Sequence, residues 1–488
     1  MKFKAFLIFL LILNLFINLI FCLDHEGIDS LWIINLSTVS IIFSILVFIL
    51  SCQQNIIFKD EWIKPSNIFL FSLLIVNFQY VLDVFIGLKN VETSFLYPDL
   101  VADCALLSSV GITSFVISYV TLLNQGGIRN LIYKPRDNRA PLKYLSLIHC
   151  ISFLLWIVNI DIQSFLSGAV YMGSHNRADT SNYFELLFNM TTYALLVQIL
   201  VNNNSIRISK INDFIKLIPK FSLIVVCLYL LLRFFSGDRG PLIFTSMTFF
   251  YAFVKLSNIK IKLLPIFIAV FFFATSISVL GIIRNFDSNL SYSEKLSTAL
   301  DAYMNDGRFE DSEQTLLPLT EELANSFSCN QIAVHELANG APLHYGKYQL
   351  FHFLNSIPFV PSFLSRTLSI PGPELSSSTY LTEVKYGKDP PCGLGTTCIA
   401  DFYLDLDVIG VMIGMVIVGF LFFKIDLIIL NKINSSSVFL ILFALVYSSK
   451  AVYIPRSAFF ADVKILIIIY IILLINRYLF KKIKSSRI

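Results

Sequence analysis

About twelve runs of roughly 20 consecutive apolar residues follow one another along this chain, each long enough to cross a hydrocarbon core as a helix. They lie near 4–23, 31–50, 67–88, 103–123, 143–160, 183–201, 217–235, 241–256, 263–283, 401–423, 437–449 and 463–480. With no water in a bilayer core, backbone polar groups must be satisfied within the protein, which leaves helices or closed barrels. Runs such as Phe271-Phe272-Phe273 lack the in-out alternation of barrel strands. The composition agrees: 56% of residues are hydrophobic and the mean hydropathy is +0.72. The expected fold is an all-α polytopic integral membrane protein with about 12 transmembrane helices.

The loops fix an orientation. Lysine and arginine recur in alternate loops, at Lys59 and Lys64, then Arg129 to Lys143, then Arg207 to Lys220, Lys255 to Lys262, Lys424 and Lys432, and Lys481 to Arg487. The intervening loops are poor in them, and residues 24–29 have none. Basic loops stay cytoplasmic, so both termini are expected in the cytoplasm. The net charge of +4 is therefore a topology signal and implies no nucleic-acid partner. The first run follows Lys2 and Lys4 like a secretory signal, but Phe21-Cys22-Leu23 offers no small-x-small cleavage site, so a retained first span is expected.

The polar part of the chain is concentrated in one stretch of roughly 117 residues, 284–400, which this orientation places outside. Three segments follow: 1–283, an N-terminal bundle of about nine helices; 284–400, the large loop; and 401–488, about three C-terminal helices. Within the loop, 293–300 and part of 315–338 read as helix, while proline-rich 358–373 reads as extended. Five of the eight cysteines sit in or beside spans as packing residues. Cys329, Cys392 and Cys398 lie where oxidation can occur, and a bridge between Cys329 and Cys392 stays open. Gly410-Val411-Met412-Ile413-Gly414 is a small-xxx-small face suited to packing against a neighbouring helix.

Candidate chemistry gathers on the outer side. Arg239, in Gly237-Asp238-Arg239-Gly240-Pro241, Arg284 at a span end and Arg456 after Pro455 stand at the membrane–water boundary. Guanidinium grips phosphate in a bidentate manner, so these arginines suit a diphosphate carried on a lipid; the alternative is pairing with local acids or headgroups. His335, His344 and His352 are spaced unlike common zinc ligands, which leaves general base or backbone-bonded loop residue as their readings. No metal and no cofactor is expected. Glu374, in Pro371-Gly372-Pro373-Glu374, and Asp401 are carboxylates that could take a proton from a sugar hydroxyl. Gly393-Leu394-Gly395-Thr396-Thr397 precedes a span whose helix N-terminus could cradle an anion. Asp405-Leu406-Asp407 has the form of a DxD metal motif, but residues two apart point to different sides of a helix; two acids inside a span require partners.

The run Gly393-Leu394-Gly395-Thr396-Thr397-Cys398-Ile399-Ala400-Asp401-Phe402-Tyr403-Leu404, with Gly410 and Gly414, resembles the signature after the large loop of Wzy-type O-antigen polymerases. Gly237 to Pro241, Ile282-Ile283-Arg284-Asn285 and Pro371 to Glu374 also look like family positions. The chain departs from the family in having Asp405-Leu406-Asp407 where an Asn–aromatic–Gly is usual, and in lacking an arginine-x10-glycine motif at Arg239 or Arg284. The resemblance implies a GT-C-like polymerase/ligase architecture in the bacterial inner membrane, with the large loop in the periplasm. It also implies a glycosyltransferase reaction in which undecaprenyl-pyrophosphate-linked repeat units are joined and pyrophosphate leaves, without nucleotide or metal. Arg239, Arg284 and Arg456 would bind the diphosphates, His344, Glu374 or Asp401 would serve catalysis, and Gly393, Gly395, Thr396 and Tyr403 would shape the substrate pocket. The implied partners are lipid-linked oligosaccharides and the membrane, with a chain-length regulator and a flippase left to look for. An O-antigen ligase, a flippase or exporter, and a structural subunit of an export complex remain as alternatives.

Overall fold

The computed structural model describes residues 2–25, 27–55, 58–59, 61–124, 140–160, 162, 179–204, 206–236, 239–257, 294, 297–298, 315–317, 320–355, 357, 360–367, 369–390, 393–430 and 437–485. Among them the chain is helical apart from turns and an isolated bridge between Ile208 and Ser257. The apolar runs form α1 (Lys2–Leu23), α2 (Ser30–Gln53), α3 (Pro65–Phe85), α4 (Val101–Asn124), α5 (Lys143–Val158) and α6 (Asp179–Asn202). The short α7 (Ile211–Leu217) leads into α8 (Lys220–Ser236), followed by α9 (Arg239–Leu256). The large loop contributes α10 (Phe327–Ala338), α11 (Lys347–Leu354) and α12 (Ser377–Tyr386), and α13 (Cys398–Ile429), α14 (Val438–Ser449) and α15 (Val463–Ser485) complete the chain.

Among the described residues seven helices are long and apolar enough to cross a membrane unaided, and α7 with α8, bent by 110°, would make an eighth. The protein is a multi-pass membrane protein. Helices α5, α9 and α14 are apolar but shorter, and the run at 263–283 lies outside the described residues. Local sequence sets the ends: Pro65 opens α3, where a missing amide costs nothing, and the Asp29 carboxylate accepts from Leu31 N before α2.

The chain divides into two compact units. The first comprises Met1–Asn130, Glu310–Asp426 and Ala451–Lys464, so the end of the large loop and most of α13 fold with the first four helices. In the first unit small hydroxyl residues let α1, α2 and α4 approach closely. Asn18 Nδ2 donates to Ser40 Oγ, Ser40 Oγ meets Ser109 Oγ at 2.8 Å, and Ser44 Oγ meets Thr113 Oγ1 at 2.9 Å. At the Lys64 end of α3, that fully buried ammonium donates to Cys52 Sγ and Tyr119 Oη, and Tyr119 donates to Asp426 Oδ2. In the second unit α5, α6 and α8 enclose Phe153, Trp156, Phe188, Val226 and Tyr229. There Arg233 pairs with Glu185, which also accepts from Tyr229 Oη at 2.8 Å. Lys64, Asp426, Arg233 and Glu185 are thus each partnered inside the helix bundle.

One loop expectation is corrected, and the bridge left open at Cys329 is not formed. Proline-rich 358–373 is not extended throughout: a helix runs over Val360–Arg366, with Pro361 in its first turn where no amide is needed. The extended form survives at Pro371, whose ψ is 148°. Cys329 is a buried free thiol in the loop's core, so it forms no bridge; Cys392 lies outside the described residues. Of segment 293–300 only Glu294, Ser297 and Thr298 are described.

Helix α13 is broken. Its backbone leaves the helical region at Leu406 (φ −144°, ψ 27°) and Asp407 (φ 56°, ψ −153°). An unbroken helix would separate Phe402 from Gly414 by about 18 Å. Instead, a Cβ added to Gly414 would lie 2.5 Å from the Phe402 ring, and one on Gly410 would strike the Phe402 carbonyl and stand 2.9 Å from Leu406 Cβ. The first half of α13 therefore folds back against the second. The small-residue face expected to receive a neighbouring helix receives Phe402 of its own.

Candidate active site

A helix break strands carbonyls that would have accepted from amides four residues on. In α13 these include the carbonyls of Leu404 and Asp405, and the large loop supplies their donors: His344 N at 3.1 Å and Tyr345 N at 2.8 Å. The exchange is reciprocal. Gly346 starts α11 without a side chain to cap it, and the Asp405 carboxylate takes that part, Oδ1 accepting from Tyr348 N at 3.1 Å and Oδ2 from Gln349 N at 3.2 Å. Both partners are bent to fit, with positive φ at Tyr345 (50°), Gly346 (81°) and Asp407 (56°). The two acids of Asp405-Leu406-Asp407 thus have separate structural tasks. Asp405 caps α11, and Asp407 Oδ1 accepts from Val408 N to start the second half of α13.

The clasp holds His344, half-buried, beside Tyr348. Tyr348 Oη lies 3.1 Å from His344 Nε2 and 3.1 Å from the Pro373 carbonyl. That carbonyl can only accept, so the single phenol proton goes to it and His344 Nε2–H donates to the phenol oxygen. The imidazole's lone pair is then on Nδ1. Burial pushes the His344 pKa below its usual 6.5, Lys347 pushes the same way, and Glu374 opposes them. A neutral imidazole at pH 7 follows, the form a general base requires. Glu374 itself is exposed and accepts from Lys347 Nζ at 2.5 Å. Behind the histidine, Tyr380 packs edge-on at 5.6 Å and donates to Glu336 Oε2 at 2.8 Å. Burial raises the pKa of both Tyr348 and Tyr380, so both phenols stay protonated.

Asp401 lies one turn before Asp405 and is fully buried. Ser377 Oγ donates to its Oδ1 at 2.5 Å, Gln349 Nε2 to its Oδ2 at 2.6 Å, and His352 Nε2 stands 3.5 Å from Oδ1. One carboxylate thus ties α11, α12 and α13 together, out of reach of solvent. The core beneath it comprises Cys329, Ile332, Ala333, Tyr348, Leu381, Ala400 and Leu404. Among the described residues no group of three or more His, Cys, Asp or Glu could hold a metal ion.

The match that decides the chain's kind covers nearly all of it: the family model described as O-antigen polysaccharide polymerase Wzy spans residues 3–486. The chain belongs to that family. No curated protein and no solved structure matches it. In this polymerase the remaining expected site residues divide by position. Arg456 sits half-buried in a short turn at Ile454–Arg456, its guanidinium 6.0 Å from the Tyr453 ring centroid. Arg239 opens α9 in the second unit, and Arg284 lies outside the described residues. The Gly393–Thr397 turn is used by the polymerase's own backbone. Gly395 takes φ +85°, Leu394 N donates to Thr382 Oγ1 at 3.0 Å, and Thr396 is buried. Thr397 caps α13 by accepting from Ala400 N at 2.9 Å, and its hydroxyl donates to Asn330 Oδ1, whose amide reaches Asn77 Oδ1 at 2.8 Å. Tyr403 is half-buried and packs on the loop core. His335 stacks on Tyr97 at 4.1 Å.

Sequence reasoning did not find Gln349 or Ser377, and it did not place Tyr348 on His344 or His352 on Asp401. Their only local signal was the pair of acids within an apolar span, which had to find donors somewhere.

Proposed function

We propose that this polymerase joins undecaprenyl-pyrophosphate-linked repeat units on the periplasmic face of the bacterial inner membrane, with His344 as general base. The supporting observation is the His344–Tyr348–Pro373 chain, which leaves a neutral imidazole with its lone pair on Nδ1. In the step proposed, a hydroxyl of the acceptor sugar gives its proton to His344 Nδ1 as its oxygen bonds to the donor's anomeric carbon. The bond from that carbon to the diphosphate breaks, and undecaprenyl pyrophosphate leaves with the electron pair. Arg456 is proposed to bind one diphosphate, and Arg239 and Arg284 to act in the same way on lipid-linked substrate. Loss of one well-aimed arginine should cost on the order of 100-fold in turnover. Glu374 is assigned to setting the charge around His344, and Asp401 to positioning α11 and α12. Gly393, Gly395 and Thr396 are assigned to forming the start of α13, with Tyr403 beside the acceptor. The basic loops support about twelve spans with both termini cytoplasmic. A chain-length regulator and a flippase are proposed as protein partners.

The test is complementation of a deletion strain, with surface polysaccharide resolved on a gel. Wild type should restore a ladder, while His344→Ala and Arg456→Ala at equal protein level should leave only a single-repeat band. Loss of the single-repeat band as well would point to a ligase or a flippase, and an unchanged ladder would refute the reading.

A further inference from the structure

The most constrained contact in the site joins the exported loop to the break in a membrane helix. The residue at its centre is Asp405, one of two acids that an apolar span would otherwise exclude. Its carboxylate holds the Tyr348 and Gln349 amides, and its carbonyl, with that of Leu404, holds the Tyr345 and His344 amides. Those four amides bracket the turn that carries His344, and Tyr348 is also the residue that orients the imidazole. The turn is held against its own preference, since Tyr345 is a bulky residue at φ 50°.

We propose that Asp405 is a positioning residue for the transfer reaction, fixing His344 at the acceptor hydroxyl by capping α11 from the broken span. This rests on the reading of His344 as general base. Removing the carboxylate leaves two amides of α11 without an acceptor and lets the 344–346 turn relax. Because a displacement of about 1 Å can cost on the order of 100-fold, turnover should fall far more than substrate binding.

Charged and titratable groups face His344 from several elements. Lys347 and Tyr348 come from α11, Glu374 from Gly372–Leu375, and Tyr380 from α12 with Glu336 of α10 behind it; Asp401 and Asp405 of α13 face Tyr348. Taking away the negative charge of Asp405 alone would favour the neutral imidazole and move the acid limb of the rate profile to lower pH. Releasing the turn from its half-buried seat does the opposite, since burial is the largest cause lowering the His344 pKa. The direction of the limb therefore separates displacement from simple loss of charge.

The experiment uses the full-length protein in lipid vesicles with a lipid-linked repeat unit, comparing wild type, Asp405→Ala, Asp405→Asn and His344→Ala from about pH 5 to pH 8. Expected for Asp405→Ala is a kcat about 10- to 100-fold lower, little change in KM, and an acid limb moved upward toward 6.5. Asp405→Asn keeps one acceptor oxygen in the same place, should fold where alanine does not, and should recover part of the rate. His344→Ala should be inactive. An unchanged kcat in both Asp405 variants with an inactive His344→Ala would overturn the positioning role and leave the base standing. A lower kcat with a stationary or downward limb would also overturn it. A fully active His344→Ala would remove the base assignment and this proposal with it.

Discussion

The fold-back of α13 makes a quantitative prediction about Gly414 and Phe402. A methyl group on Gly414 would sit 2.5 Å from ring atoms of Phe402, against an ordinary carbon–carbon contact of about 3.5–4.0 Å. The ring is buried and cannot swing into solvent. Gly414→Ala should therefore cost about 1–3 kcal/mol, the range for overpacking a filled core. Phe402→Ala alone should cost about 3–5 kcal/mol by opening a cavity. Combined, the new methyl group occupies space the ring has vacated, so the double variant should be more stable than the two costs summed by about 1–3 kcal/mol. Gly410→Ala should behave differently. Its methyl group meets the Phe402 carbonyl and Leu406 Cβ, neither of which a change of the Phe402 side chain removes. In a Phe402→Ala background Gly414→Ala should thus add little further cost, whereas Gly410→Ala should still add its own. The assay is apparent melting temperature of the detergent-solubilised protein, read beside its level in the membrane. Additive costs for the Gly414 pair, or equal coupling of both glycines to Phe402→Ala, would mean that the two halves of α13 do not lie against each other.

Other expectations follow from the same contacts. With His344 as the proposed base, neutral when it acts, activity should be lost as pH falls through its pKa; Lys347→Met removes a cause that lowers that pKa and should move the acid limb upward, while Glu374→Gln removes a cause that raises it and should move the limb downward. A pH–rate profile checks both, and abolished activity in Glu374→Gln would instead make Glu374 the base. Thr397→Val removes the cap of α13 and one partner of buried Asn330, a loss of about 2–4 kcal/mol readable as a lower melting temperature. Lys64→Met strands the buried Tyr119–Asp426 pair and should cost about 3–5 kcal/mol, much of it recovered by adding Asp426→Asn. A double variant no more stable than Lys64→Met would refute that coupling.

The helices were legible because an apolar run of span length has few other folds available to it. Eleven of about twelve expected runs coincide with described helices. What resisted reading was backbone geometry without a marker. Leu406 and Asp407 carry the break with neither glycine nor proline, so nothing in the span's composition announced it. The trace it left was chemical: two acids in an apolar span must be satisfied, and Asp405 is satisfied by amides nearly sixty residues earlier. The Asp401–His352 contact was hidden for the same reason, since it is made between elements far apart in sequence. Proline count misled at 358–373, where position in the first helical turn mattered more than number.

The clasp at residues 344–349 and 404–407 also bears on how such polymerases can be recombined. A chimera cut at the apparent end of the large loop, near residue 400, would bring a foreign turn to carbonyls and a carboxylate shaped for this one. Phe402 and its glycines would remain with the recipient, so the replaced segment and its seat would come from different parents. The smallest exchangeable block on the loop's C-terminal side ends at Gly414, well inside the membrane helix. Loop grafts meant to change which repeat units are joined should be cut there.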